Sequence, residues 1–416
     1  MNPQPIATAA GAASRAGCGP VERAAIALLD ACPAAPVATA ISERSPVGMH
    51  ALRLTPIAEP GALAADSCRS LASWLDGRAW VDELAVRPPN VYVRVGVDTL
   101  RRWVVAGYAN AGDAERRVAA AKRVTLHVGA EATADTMTLE HFRAIATCRS
   151  LVELLKTAGF DAALAPQRPE HPAPRLRVEI VPQPFADESG AGTPAALQIG
   201  GVDVVHGPLR ARFGGAVNAS DLMQCLTQRR READEGEHAP VGVADRTGYA
   251  EAALRFILLR ITPARHMRLD DARLAGEAAS FDAVLSALEL ARAHAPGEPD
   301  AACTGGAPLQ ATHAAGSAGD TAIRELAIAL GDLERIALRA ASELDPALVT
   351  RYLRALAECC HTARPHLAGA DPLWQASRVA LERALVLAGL GTLAGASLPT
   401  AADTCRNVPI QSGDLS

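Results

Sequence analysis

Apolar residues recur at helical spacing over most of this chain and alternate at strand spacing in a few short segments. "PVERAAIALLDAC" reads as a helix, with Pro20 near its first position and Val21, Ile26 and Leu29 among its apolar residues, and "GALAADSCRSLASWL" reads as a second. Apolar positions alternate from Val91 to Val95 as a strand, and a helix carrying Leu100, Val104 and Val105 follows. These pieces predict an α+β unit over residues 20–112, behind an Ala-, Gly- and Pro-rich leader, 1–19, that has no periodicity and is expected to be disordered.

The next apolar run, "KRVTLHVG", is a strand, and Phe142, Ile145, Leu151, Leu154 and Leu155 then mark a helix closed by Gly159, which together make the first half of a βα unit. "PQRPEHPAP" is a linker, while "RLRVEIVPQPF" and "AALQIGGVDVVHG" are strand candidates. "GGAVNASDLMQCLTQRRREADEGE" predicts a turn, a short strand and a helix capped by Ser220, with Asp221 in its first turn. Arg229, Arg230 and Arg231 lie among compensating acids and read as the solvated end of that helix.

From Gly248 the pattern is almost wholly helical, with a connector over 248–296 and a Gly-, Ala- and Pro-rich break at 297–319. A three-helix bundle, 320–405, and a tail, 406–416, complete the chain. Asp345-Pro346 and Asp371-Pro372 repeat one device, an aspartate N-cap with proline at the first helical position.

Composition narrows the chemistry. A length of 416 residues predicts two or three domains, and 49% apolar with only 3% aromatic residues favours helices packed through small side chains. The formal net charge is -5, so local patches must carry any nucleic-acid interaction. Lysine occurs only at Lys122 and Lys156, which leaves arginine, the residue suited to bidentate phosphate contacts, as almost the whole positive charge. Nine cysteines without a C-x-x-C indicate neither a zinc site nor a disulfide framework, and the adjacent Cys359 and Cys360 read as small core residues. With no signal-like start and no run approaching about 18 uncharged apolar residues, the chain reads as soluble and cytoplasmic. No carboxylate pair, serine-histidine set or metal-spaced cluster rises above background.

The last bundle, with "YLRALAECCHTARPHL" followed by "QASRVALERALVLAGLGTLAG", resembles the DALR anticodon-binding domain of arginyl-tRNA synthetases, with Tyr352, Leu353, Leu356, Ala357, Arg378, Leu385, Gly389, Leu390 and Leu393 in the family's places. Upstream, "RPPNVYVRVGVDTL" is similar to the end of the family's N-terminal additional domain, which touches the tRNA elbow. "FGGAVNASDLMQ" is similar to the segment that closes the catalytic core, and the order of pieces is the family's order. Aligning "LVELLKTAGFD" with the family places its His-x-Gly-His signature on Thr138, Leu139, Glu140 and His141, so that only the second histidine remains. The family uses those imidazoles, a glycine that lets the nucleotide approach the backbone, and the helix N-terminus to stabilise the phosphates of ATP. Here Glu140 sets a carboxylate where a triphosphate would lie, and a lone His141 at a helix start reads more readily as a structural residue than as a remnant catalytic one. The span from Asp161 to His206 is also much shorter than the family needs for its arginine pocket and second nucleotide-binding half.

The resemblance implies an α/β plus all-α chain: an N-terminal α+β additional domain over 20–112, a reduced Rossmann-like core over 113–247, the connector, and a C-terminal DALR helical bundle. It implies a pseudo-enzyme that binds tRNA, with tRNA for arginine as the candidate, through Arg351, Tyr352, Arg354, Trp374, Arg378 and Arg383, as adaptor or regulator. The partner would be a true synthetase or a tRNA-modifying enzyme. No cofactor or metal is expected. An active ATP-dependent arginine-tRNA ligase is the first alternative, the one case that needs ATP, and a protein-interaction scaffold without RNA binding is the second.

Overall fold

The computed structural model describes residues 19–29, 32, 37–46, 48–56, 64–109, 123–128, 139–164, 175–181, 202–205, 209–212, 218–234, 246–263, 265, 267–295 and 318–391. The expected leader, most of the expected break at 297–319, and the tail lie outside the described residues. Two compact units are present, the first made of Met1–Arg116, Ala287–Arg335 and Ala355–Ala380, the second of Arg117–Ser286, Ile336–Arg354 and Leu381–Ser416.

In the first unit, helix α1 (Pro20–Leu29) precedes the strands β1 (Val37–Ser45) and β2 (Gly48–Pro56), helix α2 (Ala64–Leu75), strands β3 (Val81–Arg87) and β4 (Asn90–Val95), and helix α3 (Val97–Ala109). The strands form an antiparallel sheet in the order β1-β2-β4-β3, with Leu52 opposite Val93 and Leu54 opposite Val91. On β4, Val91, Val93 and Val95 are buried and the intervening residues half-buried, the period-2 pattern of a sheet with one covered face. Helix α2 lies against that sheet and buries Cys68, Leu71, Ala72 and Leu75, a stripe at i, i+3, i+4 and i+7.

Parts of four later helices, α7 (Asp271–His294), α8 (Ala318–Glu343), α9 (Ala347–Ala363) and α10 (Pro372–Leu387), belong to this unit as well. Arginines bind them to the early elements. Arg324 of α8 donates to the Val95 carbonyl and to Asp82 at 3.0 Å, Arg101 of α3 pairs with Asp371, and Arg23 of α1 pairs with Glu334. The Tyr108 hydroxyl donates to the Leu330 carbonyl at 2.7 Å. A Cβ on Gly19 would stand 2.0 Å from the Gly331 carbonyl oxygen, so α1 reaches α8 only because Gly19 has no side chain.

The second unit contains β5 (Arg123–Val128), α4 (Leu139–Thr157), β6 (Asp161–Leu164), β7 (Arg175–Val181) and β8 (Val202–Val205). The sheet order is β6-β5-β7-β8; β5 and β6 are parallel, and the other pairings are antiparallel. Among the described residues this sheet therefore holds a single βαβ unit with an antiparallel extension. The length of chain explains the reversal: residues 165–174 are too few and too proline-rich for the helical crossover that a further parallel strand requires.

Beyond the sheet come β9 (Leu209–Arg212), α5 (Ala219–Asp234), α6 (Arg246–Leu259) and β10 (Met267–Asp270), with β9 and β10 paired in parallel. The cap of α5 is Asn218, not Ser220. Asn218 Oδ1 accepts from the Asp221 N–H at 3.0 Å and from the Ser220 hydroxyl at 2.6 Å, while Asp221 Oδ2 accepts from the Asn218 N–H at 3.2 Å, a reciprocal capping box. Arg230 is not solvated either: it bonds Asp282 at 3.1 Å and lies over the ring of Tyr249, whose hydroxyl donates to the same carboxylate oxygen.

Helices α4 and α6 form the middle of this unit. In α6 every residue from Ala252 to Leu259 is buried, and α4 is buried on almost all sides, as expected of helices enclosed by protein. Their polar side chains have acceptors: Ser150 donates to the Leu387 carbonyl at 2.6 Å, and Arg255 donates to the Gly389 carbonyl at 3.4 Å and pairs with Glu251. Gly389, at φ 72°, closes α10 with the N–H of Leu390 bonded to Leu385, and a Cβ there would lie 3.2 Å from the Ser150 nitrogen.

Candidate nucleic-acid interface

Two helix starts in the second unit carry the residues singled out by the sequence. At the first, α4, the signature-matched positions begin with Thr138, which lies outside the described residues, as do the side chains of Glu140 and His141. Leu139 is 2% exposed, and Phe142 and Ala144 are buried beside it. Arg143, 1% exposed, donates through Nη2 to the carbonyls of Ile261 and Thr262 at 3.4 and 3.3 Å. Burial pushes its guanidinium down to about 10, so the cation is held here against a desolvation cost that the two carbonyls offset. The side chains of Leu139, Phe142 and Arg143 are all committed to protein. No group of His, Cys, Asp and Glu able to hold a metal ion occurs among the described residues.

The same segment, 259–262, is also held by the start of α9. Asp345 caps that helix, accepting from the Ala347 N–H at 3.1 Å, and its second oxygen accepts from the Thr262 hydroxyl at 2.9 Å and from Arg351 Nη2 at 3.4 Å. Thr350 donates to the Leu259 carbonyl at 3.3 Å. The end of α6 is thereby stitched to the first turns of α9, and Arg260 comes within electrostatic reach of Arg351, Arg354 and Arg273.

Burial is the first cause that lowers the Arg260 guanidinium below its ordinary value, and repulsion from Arg354, Arg273 and Arg351 follows. Arg260 is paired with Glu277, Asp345 is spent on its cap and on Thr262 and Arg351, and Asp270 caps α7 by accepting from the Arg273 N–H at 2.9 Å. Arg351, its side chain 53% exposed, is steadied by the Ala347 carbonyl at 3.0 Å. Arg273 and Arg354 are exposed, and among the described residues no acid pairs with either side chain. Four guanidinium groups thus gather around Arg260, two of them anchored and two without an acid partner among the described residues, and such groups suit phosphate oxygens.

Of the expected tRNA-contacting residues, the structure brings Arg351 and Arg354 into this cluster. Arg378 and Arg383 are half-buried on α10, and Arg378 Nε is buried without a hydrogen-bond partner. Tyr352 and Trp374 correct the expectation of base stacking. Trp374 is 1% exposed, donates through Nε1 to the Ala368 carbonyl at 3.1 Å and stacks on His294 at 5.3 Å, and Tyr352 is 5% exposed beside the buried Leu353. Both rings fall on the inner stripe of their helices. Arg260 and Arg273 were not anticipated, because nothing local distinguishes them: they reach Arg351 through tertiary contacts such as the Thr350–Leu259 and Thr262–Asp345 bonds, 91 and 83 residues apart in sequence.

The expected N-caps at Asp345 and Asp371 are present, each accepting from the N–H two residues ahead at 3.1 and 3.0 Å. No helix among the described residues is long and apolar enough to cross a membrane.

No protein-family model matches the sequence, and no curated protein matches it. Among solved structures the chain is similar in fold to an arginyl-tRNA synthetase from Thermus thermophilus, with a TM-score of 0.52 and 12% identity over 89% of this chain and 98% of that chain. The fold is synthetase-like. Because the likeness spans nearly all of that chain, it lends no support to the expectation that a part of the core has been pared away.

Proposed function

We propose that this chain is an arginyl-tRNA-synthetase-like protein that binds tRNA without activating an amino acid, serving as adaptor or regulator for a true synthetase or a tRNA-modifying enzyme. The observation that carries the reading is the arginine face formed by Arg260, Arg273, Arg351 and Arg354 on a synthetase-like fold. Phosphate contacts supply most of the affinity of such a face, so binding falls steeply as salt rises. The supporting observation is the start of α4, where Leu139, Phe142 and Arg143 are packed into protein and Glu140 occupies the position of the family's glycine. One missing oxyanion-type donor costs about 3 to 4 kcal/mol in a transition state, and here a histidine and the glycine are both absent. The DALR assignment of α8 to α10 belongs to this same reading.

Two assays test it. A tRNA shift assay at about 50 and 200 mM salt is expected to show binding that weakens by orders of magnitude; absent or salt-indifferent binding favours the scaffold alternative and removes the proposal. Arginine-dependent pyrophosphate exchange is expected at background. Robust exchange that disappears in His141→Ala establishes the ligase alternative instead, with ATP as its cosubstrate.

A further inference from the structure

Among the described residues, the arginine face offers charge without a stacking surface. Among the described residues of its unit, Phe142, Tyr249, Phe256, Phe281 and Tyr352 are buried and Phe160 is half-buried. Proteins that read unpaired nucleotides combine a cationic groove with exposed rings on which the bases stack. Among the described residues these rings are inside, while Arg273, Arg351 and Arg354 are outside. Arg351 and Arg354 stand one helical turn apart on α9, close enough to engage neighbouring charges on one strand. Arg260 and Arg351 are fixed by Glu277, Asp345 and the Ala347 carbonyl, whereas Arg273 and Arg354 can turn toward a ligand. A base-paired RNA stem has a deep, narrow major groove that hides its base edges and presents mostly phosphates and 2′-hydroxyls.

We propose that this face binds the phosphodiester backbone of a base-paired RNA stem and leaves the bases of the anticodon loop unread, so that it contributes affinity without choosing among tRNAs. The inference rests on the reading of the chain as a tRNA-binding protein and narrows it to a structural class of RNA.

The full chain is titrated by fluorescence anisotropy with three probes: mixed tRNA, a short perfect RNA duplex, and single-stranded oligouridylate with the same number of phosphates. The duplex is expected to bind more tightly than the single strand, by about tenfold or more if several phosphates are engaged. The double variant Arg273→Glu with Arg354→Glu is expected to weaken tRNA and duplex alike and to reduce the logarithmic salt slope by about 2, one for each phosphate contact. The matched lysine variant keeps the slope, which separates loss of charge from loss of fold. A single strand that binds as well as the duplex overturns the inference. So does a glutamate pair that leaves tRNA binding intact. If the unaltered chain binds no tRNA at low salt, the broader reading fails and this one with it.

Discussion

Arg143 and Arg351 are each the fifth residue of a helix; Arg143 donates to the short segment that ends α6, and Arg351 bonds Asp345, which accepts from Thr262 of that same segment. One is sealed at 1% exposure and spent on two carbonyls; the other has a half-exposed side chain in a cluster with two arginines that no acid among the described residues pairs with. Residue type and helical position are identical, so neither decides the outcome. Their surroundings do. Around Arg143 the helix is buried on most sides and the guanidinium becomes a clamp, whereas Arg351 sits on the outer side of an amphipathic helix whose inner stripe is Tyr352, Leu353, Leu356 and Ala357. The count of 41 Lys and Arg residues therefore overstates the positive charge available to a ligand, because Arg101, Arg143, Arg230, Arg255 and Arg324 all serve as internal ties.

The largest effect expected from this contrast is at Arg143. Arg143→Ala leaves the Ile261 and Thr262 carbonyls without their donor and opens a cavity under α4, a loss of about 4 kcal/mol in urea-induced unfolding. RNA affinity of the protein that remains folded should not change. A stable Arg143→Ala protein that fails to bind tRNA would break the division between clamp and contact.

Next come the two Asp-Pro caps. Asp371 and Asp345 each hold a helix start, but Asp371 also pairs with Arg101, whose side chain is only 13% exposed, while Asp345 pairs with the outward Arg351. Asp371→Ala is expected to cost about 3 kcal/mol, for the cap and for the charge left with little water around it. Asp345→Ala should cost less, about 2 kcal/mol, for its cap and the Thr262 bond. By deleting a carboxylate from the arginine face it should also tighten RNA binding. Equal costs, or weaker RNA binding in Asp345→Ala, would show that the two ends are not distinguished by burial. Lower still is the stability cost of reversing Arg273 and Arg354, about 0.5 kcal/mol or less, since neither side chain ties protein to protein; thermal melts of the double glutamate variant check it.

Much of this molecule is legible in its sequence, and what is not follows a physical pattern. Long amphipathic helices, the Asp-Pro caps and the glycine stop at Gly159 are local signals and appear where the periodicity places them, whereas the last helix ends at Leu387, ahead of Gly389, and not in the expected run through "GLGTLAG". The hairpin β1–β2, β3, β6 and β10 escape, because "VATAISERS" alternates small residues with polar ones and "MRLD" is too short to show a period between two helices. Their pairing is chosen by the partner strand. The cap of α5 is misplaced by two residues because "NASD" offers several cap-competent side chains in a row. At the arginine face, Arg351 and Arg354 are visible as an i, i+3 pair, but which aromatic residues face inward and which distant arginines join them is settled by tertiary contact.

The smallest effect discriminates most sharply, since it applies one substitution to both helices. Lysine in place of Arg351 keeps the charge and loses the bonds to the Ala347 carbonyl and Asp345, made by a side chain that is 53% exposed; such contacts contribute about 0.5 kcal/mol or less. The salt slope of RNA binding should be preserved, because a phosphate is served by a point charge as well as by a planar fork. Lysine in place of Arg143 is the same exchange in a sealed site. An ammonium there cannot span the two carbonyls as the guanidinium does, and it loses its hydration as well, so the penalty should reach about 2 kcal/mol or more. If chemical denaturation gave the two lysine variants the same stability, burial could not be what separates the inward arginine from the outward one, and the assignment of the outward face to RNA would lose its physical basis.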